Sequence, residues 1–207
     1  MPEATNLDLW MGDGRPGVVL IDGRSGSGKT TLAQRIAEKL GAQQLHLEDL
    51  YPGWDGLAEG SHAVAGALAD ASYRRYDWLV GSFAERVALD PSRPLVIEGC
   101  GAVTTANLAA ARRFAGPVAR GARATWAIWL ECPEALRRER ALDRDGEVFA
   151  PHWERWAAQE DALFSVARPI ALVDELVHIG GPEVSSGRAA EEPGAPSRLE
   201  GCSMSAC

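Results

Sequence analysis

The run Gly23-Arg24-Ser25-Gly26-Ser27-Gly28-Lys29-Thr30 fits the spacing G-x-x-x-x-G-K-[ST] at every fixed position. These residue types at this spacing do one kind of chemistry. Glycines let backbone N–H groups turn inward around a phosphate, and a helix that starts there aims the positive end of its dipole at the same anion. A lysine adds a point charge for the outer phosphates, and the Thr30 hydroxyl can ligate Mg²⁺. Gly23, Ser25, Gly26, Ser27, Gly28, Lys29, Thr30 and Thr31 are therefore the expected nucleotide-binding residues. The chain has two lysines, Lys29 and Lys39. The plain alternative, a glycine-rich surface turn, does not require a buried strand before it and a helix after it.

Phosphate binding alone does not decide a reaction. Phosphoryl transfer to an alcohol also needs a carboxylate that takes the hydroxyl proton, an acidic group beside Mg²⁺, and cations that offset the moving charge. Asp49 follows a short second strand and is expected in the crevice as the base, with a helix cap or Asx turn as the competing reading. Glu48 is expected to point elsewhere. Glu98 ends the apolar run Leu95-Val96-Ile97 and is the expected Mg²⁺ partner, the alternative being an exposed strand-end charge. Arg137, Arg138, Arg140 and Arg144 recur at helical spacing. Among them Arg140 and Arg144 are the candidates to reach the transferred phosphate from a closing lid, against a solvated helix surface.

These groups need a scaffold that brings strand ends together. Val18-Val19-Leu20-Ile21 reads as a buried strand within 17–22, followed by a helix from Lys29 to Leu40 whose apolar face is Leu32, Ile36 and Leu40, with Gly41 as its stop. Further strands are expected at 43–47, 94–98, 125–131 and within 170–179, and helices over much of 61–71, at 105–114, from Pro133 to about 142, and at 152–166. Residues 143–151 read as a polar loop. Strands that alternate with such helices imply an α/β fold, with a parallel sheet covered on both faces.

The totals narrow the partners. A chain of 207 residues with net charge −8 suits one domain and argues against a nucleic-acid or anionic-membrane partner. There is no run of about 18 apolar residues and no charged-then-apolar opening segment, so the expected location is the cytoplasm. Cys100, Cys132, Cys202 and Cys207 make no zinc spacing, and Cys100 and Cys132 are expected as buried thiols. Residues 181–207 are rich in Pro, Gly, Ser and Glu and read as a disordered tail beyond a domain at 1–180.

The phosphate loop, Glu48-Asp49-Leu50-Tyr51, Tyr76-Asp77-Trp78, Val96-Ile97-Glu98-Gly99, the arginine segment and Ala171-Leu172-Val173-Asp174 occur in that order. In this the chain resembles the uridine kinase branch of the phosphate-loop kinases. More closely, it is similar to uridine kinase-like ATP-binding proteins of actinobacteria, through Asp49-Leu50-Tyr51-Pro52-Gly53-Trp54-Asp55-Gly56 and Pro151-His152-Trp153-Glu154-Arg155-Trp156. The resemblance spans about 17–180. It implies a three-layer P-loop NTPase fold with a five-stranded parallel sheet and a small helical lid at about 137–156. It also implies ATP·Mg²⁺ as donor and the 5′-hydroxyl of a pyrimidine nucleoside as acceptor. Asp49 would be the base or metal-linked carboxylate, Glu98 would serve Mg²⁺, and Tyr76 and Asp77 would line the acceptor pocket.

One departure concerns the acceptor. Uridine kinases carry a His shortly after the Tyr-Asp-aromatic element, whereas Leu79-Val80-Gly81-Ser82-Phe83 follows Trp78 here. Tyr51, Trp54, Trp78, Trp153 and Trp156 are the aromatic candidates for a replacement pocket. Docking of the lid helix on the core is the alternative, favoured for Trp156. Trp126 and Trp129 read as core, His46 and His178 as structural, and His152 as a lid contact or a cap. No N-K-x-D guanine reader is present, which excludes a GTP switch of that kind. Three readings stay open: a kinase for a nucleoside; a kinase for a sugar acid, coenzyme precursor or antibiotic hydroxyl; and an ATP-binding or ATPase module.

Overall fold

Apolar runs that are buried on both sides need a sheet with helices above and below it, and the computed structural model, which describes residues 16–116 and 124–180, shows that arrangement. In chain order the elements are β1 (Val18–Gly23), α1 (Lys29–Leu40), β2 (Gln43–His46), α2 (Leu57–Ala69), β3 (Ser72–Asp77), β4 (Ser82–Ala88), β5 (Leu95–Glu98), α3 (Thr105–Ala115), β6 (Thr125–Glu131), α4 (Glu134–Phe149), α5 (Trp153–Ala167) and β7 (Glu175–His178). Five strands form one parallel sheet in the order β2-β5-β1-β6-β7, and β3 and β4 form a separate antiparallel hairpin. This is the three-layer P-loop fold.

Strand β1 is central and buried along its whole length. Its side chains alternate between two cores. Val19 and Ile21 pack with Ala33 and Ile36 of α1. Val18 and Leu20 pack on the opposite face with Val64 of α2, Leu108 of α3 and Trp156 of α5. The register sets Ile21 opposite Glu98 and His46 opposite Glu98. The C-terminal strand ends therefore share one edge with the loop that follows β1.

Several boundaries differ from the sequence expectations. Residues 143–151 are mostly helical, because α4 continues to Phe149 across a break at Gly146 (φ 53°, ψ −134°). Most of this helix is solvated, so its polar composition imitates a loop. The last strand is confined to Glu175–His178, with a 3-10 turn at Pro169–Ala171 before it. The β3–β4 hairpin was not foreseen, since its largely exposed strands carry no apolar stripe. The tail assigned to 181–207, with Cys202 and Cys207, lies outside the described residues, as does the lead-in up to 15. Cys100 and Cys132 are buried free thiols. Among the described residues no helix is long and apolar enough to cross a membrane.

Candidate functional site

The loop between β1 and α1 is shaped by close approach. Gly26 has φ 79°, and a Cβ built there would lie 2.1 Å from the Arg137 carbonyl oxygen, so only glycine fits. Gly28 is left-handed (φ 97°) and opens α1 directly at Lys29. The first N–H groups of that helix have no partner within it, which leaves them for an anion. Lys29 is buried, and its Nζ donates to the Arg24 carbonyl oxygen at 3.0 Å and lies 3.5 Å from Cys100 Sγ. Burial opposes its charge, but Cys100, Glu98, Glu160 and Asp22 around it hold its pKa above the ordinary lysine value.

Thr30 and Glu98 meet as the sequence expects, with Thr30 Oγ1 donating to Glu98 Oε1 at 3.2 Å. The same oxygen lies 2.7 Å from His46 Nδ1. Burial pushes the Glu98 carboxyl up, yet His46, Lys29 and Thr30 outweigh it and hold Glu98 below the ordinary range, while the bond to Glu98 raises His46. His46, which the sequence left without a partner, thus has one through strand register. Among the described residues no cluster of three His, Cys, Asp or Glu could hold a metal by itself. Thr30 and Glu98 together fit Mg²⁺, which takes one or two protein ligands and completes its shell with phosphates and water.

The neighbouring acids take opposite positions. Asp49 accepts from Tyr73 Oη at 3.1 Å and faces the hairpin, and partial burial raises its pKa. Glu48, expected to point away, lines the cavity, where desolvation and Glu98 push its pKa up against His46 and Arg144. Both lie on a short 3-10 turn, Leu47–Asp49, and its phase decides which one faces inward.

That cavity has a volume of about 660 Å³ and is walled by the phosphate loop and by aromatic side chains. Glu98, Lys29 and Thr30 line it together with Tyr51, Trp54, Trp78, Phe149 and Trp156. Tyr51 Oη donates to the Cys100 carbonyl oxygen at 2.8 Å, and Trp78 Nε1 to the Glu48 carbonyl oxygen at 3.0 Å. Trp54 stacks on His152 at 4.2 Å and on Phe149 at 5.5 Å and meets Trp78 edge-on at 5.0 Å. Tyr76 and Asp77 stand outside the cavity wall. Asp77 closes the hairpin turn by accepting from Leu79 N (2.9 Å) and Val80 N (3.1 Å), and Tyr76 packs on Trp78 and Phe83.

The arginines of α4 separate by helical phase. Arg144 lines the cavity, whereas Arg140 Nη1 lies 4.0 Å from Cys132 Sγ. Arg137 is buried and holds the phosphate loop, donating to the Cys132 carbonyl oxygen (3.1 Å) and the Ser25 carbonyl oxygen (3.2 Å). Trp153 packs under Arg137 and against Phe149 in the core, and it is Trp156 that reaches the cavity, the reverse of the sequence expectation.

Two carboxylates at the loop escaped sequence reasoning. Glu160 of α5, buried, accepts from Ser25 N at 2.7 Å and lies 3.3 Å from Cys100 Sγ and 3.5 Å from Arg24 Nη1. Its spacing of four from Trp156 was the available signal. Asp22, fully buried, accepts from Gly23 N (2.7 Å), Gly101 N (3.0 Å) and Val103 N (2.8 Å), tying the loop after β1 to the loop after β5. Burial pushes the Asp22 carboxyl up to about 7 and the Cys100 thiol up to about 12.

A family profile described as an AAA domain matches residues 18–163. No curated protein matches the sequence. Similar solved structures include a possible uridine kinase from Bacillus stearothermophilus, 21% identical, covering 80% of this chain and 90% of that one with a TM-score of 0.48. A gluconokinase from Sinorhizobium meliloti 1021 is 19% identical, covering 81% and 85% with a TM-score of 0.42. A shikimate kinase from Acinetobacter baumannii is 17% identical, covering 80% and 84% with a TM-score of 0.43.

Proposed function

The chain belongs to the AAA domain family, and on that premise we propose that it is an ATP-dependent small-molecule kinase that transfers the γ-phosphate to an alcohol hydroxyl of a nucleoside-like acceptor. One observation carries this reading. The phosphate loop opens into a cavity of about 660 Å³ that Tyr51, Trp54, Trp78, Phe149 and Trp156 line together with Lys29 and Thr30, which supports room for an acceptor beside the phosphates.

In this reading Lys29 and the N–H groups at the start of α1 hold the nucleotide phosphates. Thr30 and Glu98 hold Mg²⁺, whose bound form supplies charge neutralisation on the phosphates. Arg144 offsets charge from the lid side of the cavity. Glu48 takes the acceptor proton, because it is the carboxylate of the Glu48-Asp49 pair that lines the cavity. Asp49, the base implied by the resemblance to uridine kinases, is the second candidate, one residue away and bonded to Tyr73.

A different acceptor, such as a sugar acid, coenzyme precursor or antibiotic hydroxyl, is the second reading. It is favoured by the placement of Tyr76 and Asp77 outside the cavity wall. The test is acceptor-stimulated ADP release across nucleosides and other alcohols, with the product mass measured. We expect a nucleoside-like alcohol to stimulate release and to gain one phosphate, and Lys29→Ala to abolish both while retaining a folded circular-dichroism spectrum. No stimulation by any alcohol would favour a binding or ATPase module.

A further inference from the structure

Cys100 follows the strand-end pair Glu98-Gly99 and lines the cavity beside Lys29. Resting on the phosphate loop as the nucleotide site, and not on the acceptor, we propose that Cys100 is a positioning residue for Lys29. Its thiol, turned by Glu160, holds the Lys29 ammonium without neutralising it and leaves it an N–H for the outer phosphates.

The direction of the bonds is forced by what each group can donate. An ammonium only donates, and a carboxylate paired with a guanidinium, as Glu160 is with Arg24, only accepts. Lys29 Nζ lies 3.5 Å from Cys100 Sγ, and Cys100 Sγ lies 3.3 Å from Glu160 Oε1. The sulfur therefore accepts from Lys29, and its S–H donates to Glu160, with Ser25 Oγ a further neighbour at 3.6 Å. Burial pushes the thiol up to about 12, which keeps the proton on sulfur. Lys29 makes its other bond to the Arg24 carbonyl oxygen and no ion pair with a carboxylate among the described residues. Of the three N–H donors of an ammonium, one is left over. A carboxylate at the place of the sulfur would cancel the charge that the phosphates need, whereas a neutral thiol holds Nζ and preserves it.

The backbone fixes where this thiol stands. Gly99 and Gly101 flank Cys100 with φ 145° and 85°. A Cβ at Gly99 would lie 2.5 Å from Leu47 Cβ, and one at Gly101 2.7 Å from Leu163 Cδ2. Tyr51 Oη donates to the Cys100 carbonyl oxygen, and Asp22 Oδ1 accepts from Gly101 N.

The experiment titrates the full chain by calorimetry with Mg²⁺·AMP-PNP, a non-hydrolysable triphosphate, and with AMP, which lacks the outer phosphates. Cys100→Ala should raise the dissociation constant of AMP-PNP about fivefold, as for loss of one hydrogen bond, and leave that of AMP unchanged. Cys100→Val, which fills the space without an acceptor, should do the same. Cys100→Ser, which keeps a donor and an acceptor, should bind both ligands as the wild type does. Because the chain has two lysines, Lys29 and Lys39, ¹⁵N-lysine labelling gives a readout without nucleotide. The Lys29 ammonium signal, identified by its loss in Lys29→Arg, should exchange its protons with solvent faster in Cys100→Ala and Cys100→Val than in wild type or Cys100→Ser.

Unchanged AMP-PNP binding or unchanged proton exchange in the Ala and Val variants, equal weakening of AMP, failure of Cys100→Ser to preserve binding, or no AMP-PNP binding to the wild type overturns the inference. The kinase reading fails separately. Selective weakening of AMP-PNP, with no acceptor-stimulated ADP release in the wild type, would sink that reading and leave the role of Cys100 standing. Acceptor-stimulated ADP release, with AMP-PNP binding unchanged in both variants, would do the opposite.

Discussion

Two adjacent acids, Glu48 and Asp49, differ in what their side chains can touch, and that difference gives the sharpest test of the proposed chemistry. Glu48 lines the cavity, and Asp49 is bonded to Tyr73. Loss of a general base costs about 10²–10⁴-fold in rate. Glu48→Gln should therefore reduce kcat by about 10²-fold or more with nucleotide still bound, and Asp49→Asn should retain most of it. The reverse outcome would give the role to Asp49, as the resemblance implies. The pH profile is a second readout. A base acts in its deprotonated form, and desolvation with Glu98 nearby raises the Glu48 pKa above the ordinary value of 4.5. The acidic limb of kcat/KM should thus rise through a pKa above that value, and it should disappear in Glu48→Gln.

Helix α5 couples Phe149 of α4 to the phosphate loop through side chains spaced three and four apart. Trp153, Trp156 and Glu160 are its buried residues. The sequence exposes that spacing but not its direction, since two tryptophans three apart both lie near one helical face, and only tertiary packing decides which meets the cavity. Glu160 is the strongest link in this set. Removing it leaves the Ser25 N–H without its acceptor and takes a buried carboxylate from Arg24, which keeps Asp161. Breaking a buried ion pair from one side costs about 3–5 kcal/mol, and because Arg24 is partly exposed and retains Asp161 we expect the low end for Glu160→Ala. Asp161→Ala, at an exposed carboxylate, should cost less than about 1 kcal/mol. Urea denaturation of the two variants would decide it, and equal losses would show that the loop does not depend on Glu160.

At the scale of the molecule, local signals were legible and register was not. The loop, the strand before it and the helix after it are consecutive in sequence, so glycine positions and apolar runs were enough to place them. Glu98 was legible as a carboxylate ending an apolar strand. His46 was not legible as its partner, because that contact depends on how β2 pairs with β5 across the sheet. The β3–β4 hairpin has no apolar stripe to announce it, and α4 is too solvated to show where it ends. Asp22 belongs to the same class of hidden residue. It reads as a polar interruption between Ile21 and Gly23, yet it joins two loops through three backbone N–H bonds.

Its protonation makes the stability of the whole fold depend on pH. Burial pushes the folded pKa up to about 7 from the ordinary 3.8, opposed by those bonds and Lys29. Between these values the folded state binds more protons than the unfolded state, so Asp22's contribution is fully present below about 4 and is lost as pH rises toward 7. Asp22→Asn removes this titration and turns an amide N–H₂ toward backbone donors. The stability of wild type relative to that variant should therefore decline from pH 5 to pH 8 in urea titrations. A difference that stayed flat over that interval would mean that Asp22 is ionised in the folded protein throughout, with the three N–H bonds and Lys29 outweighing its burial.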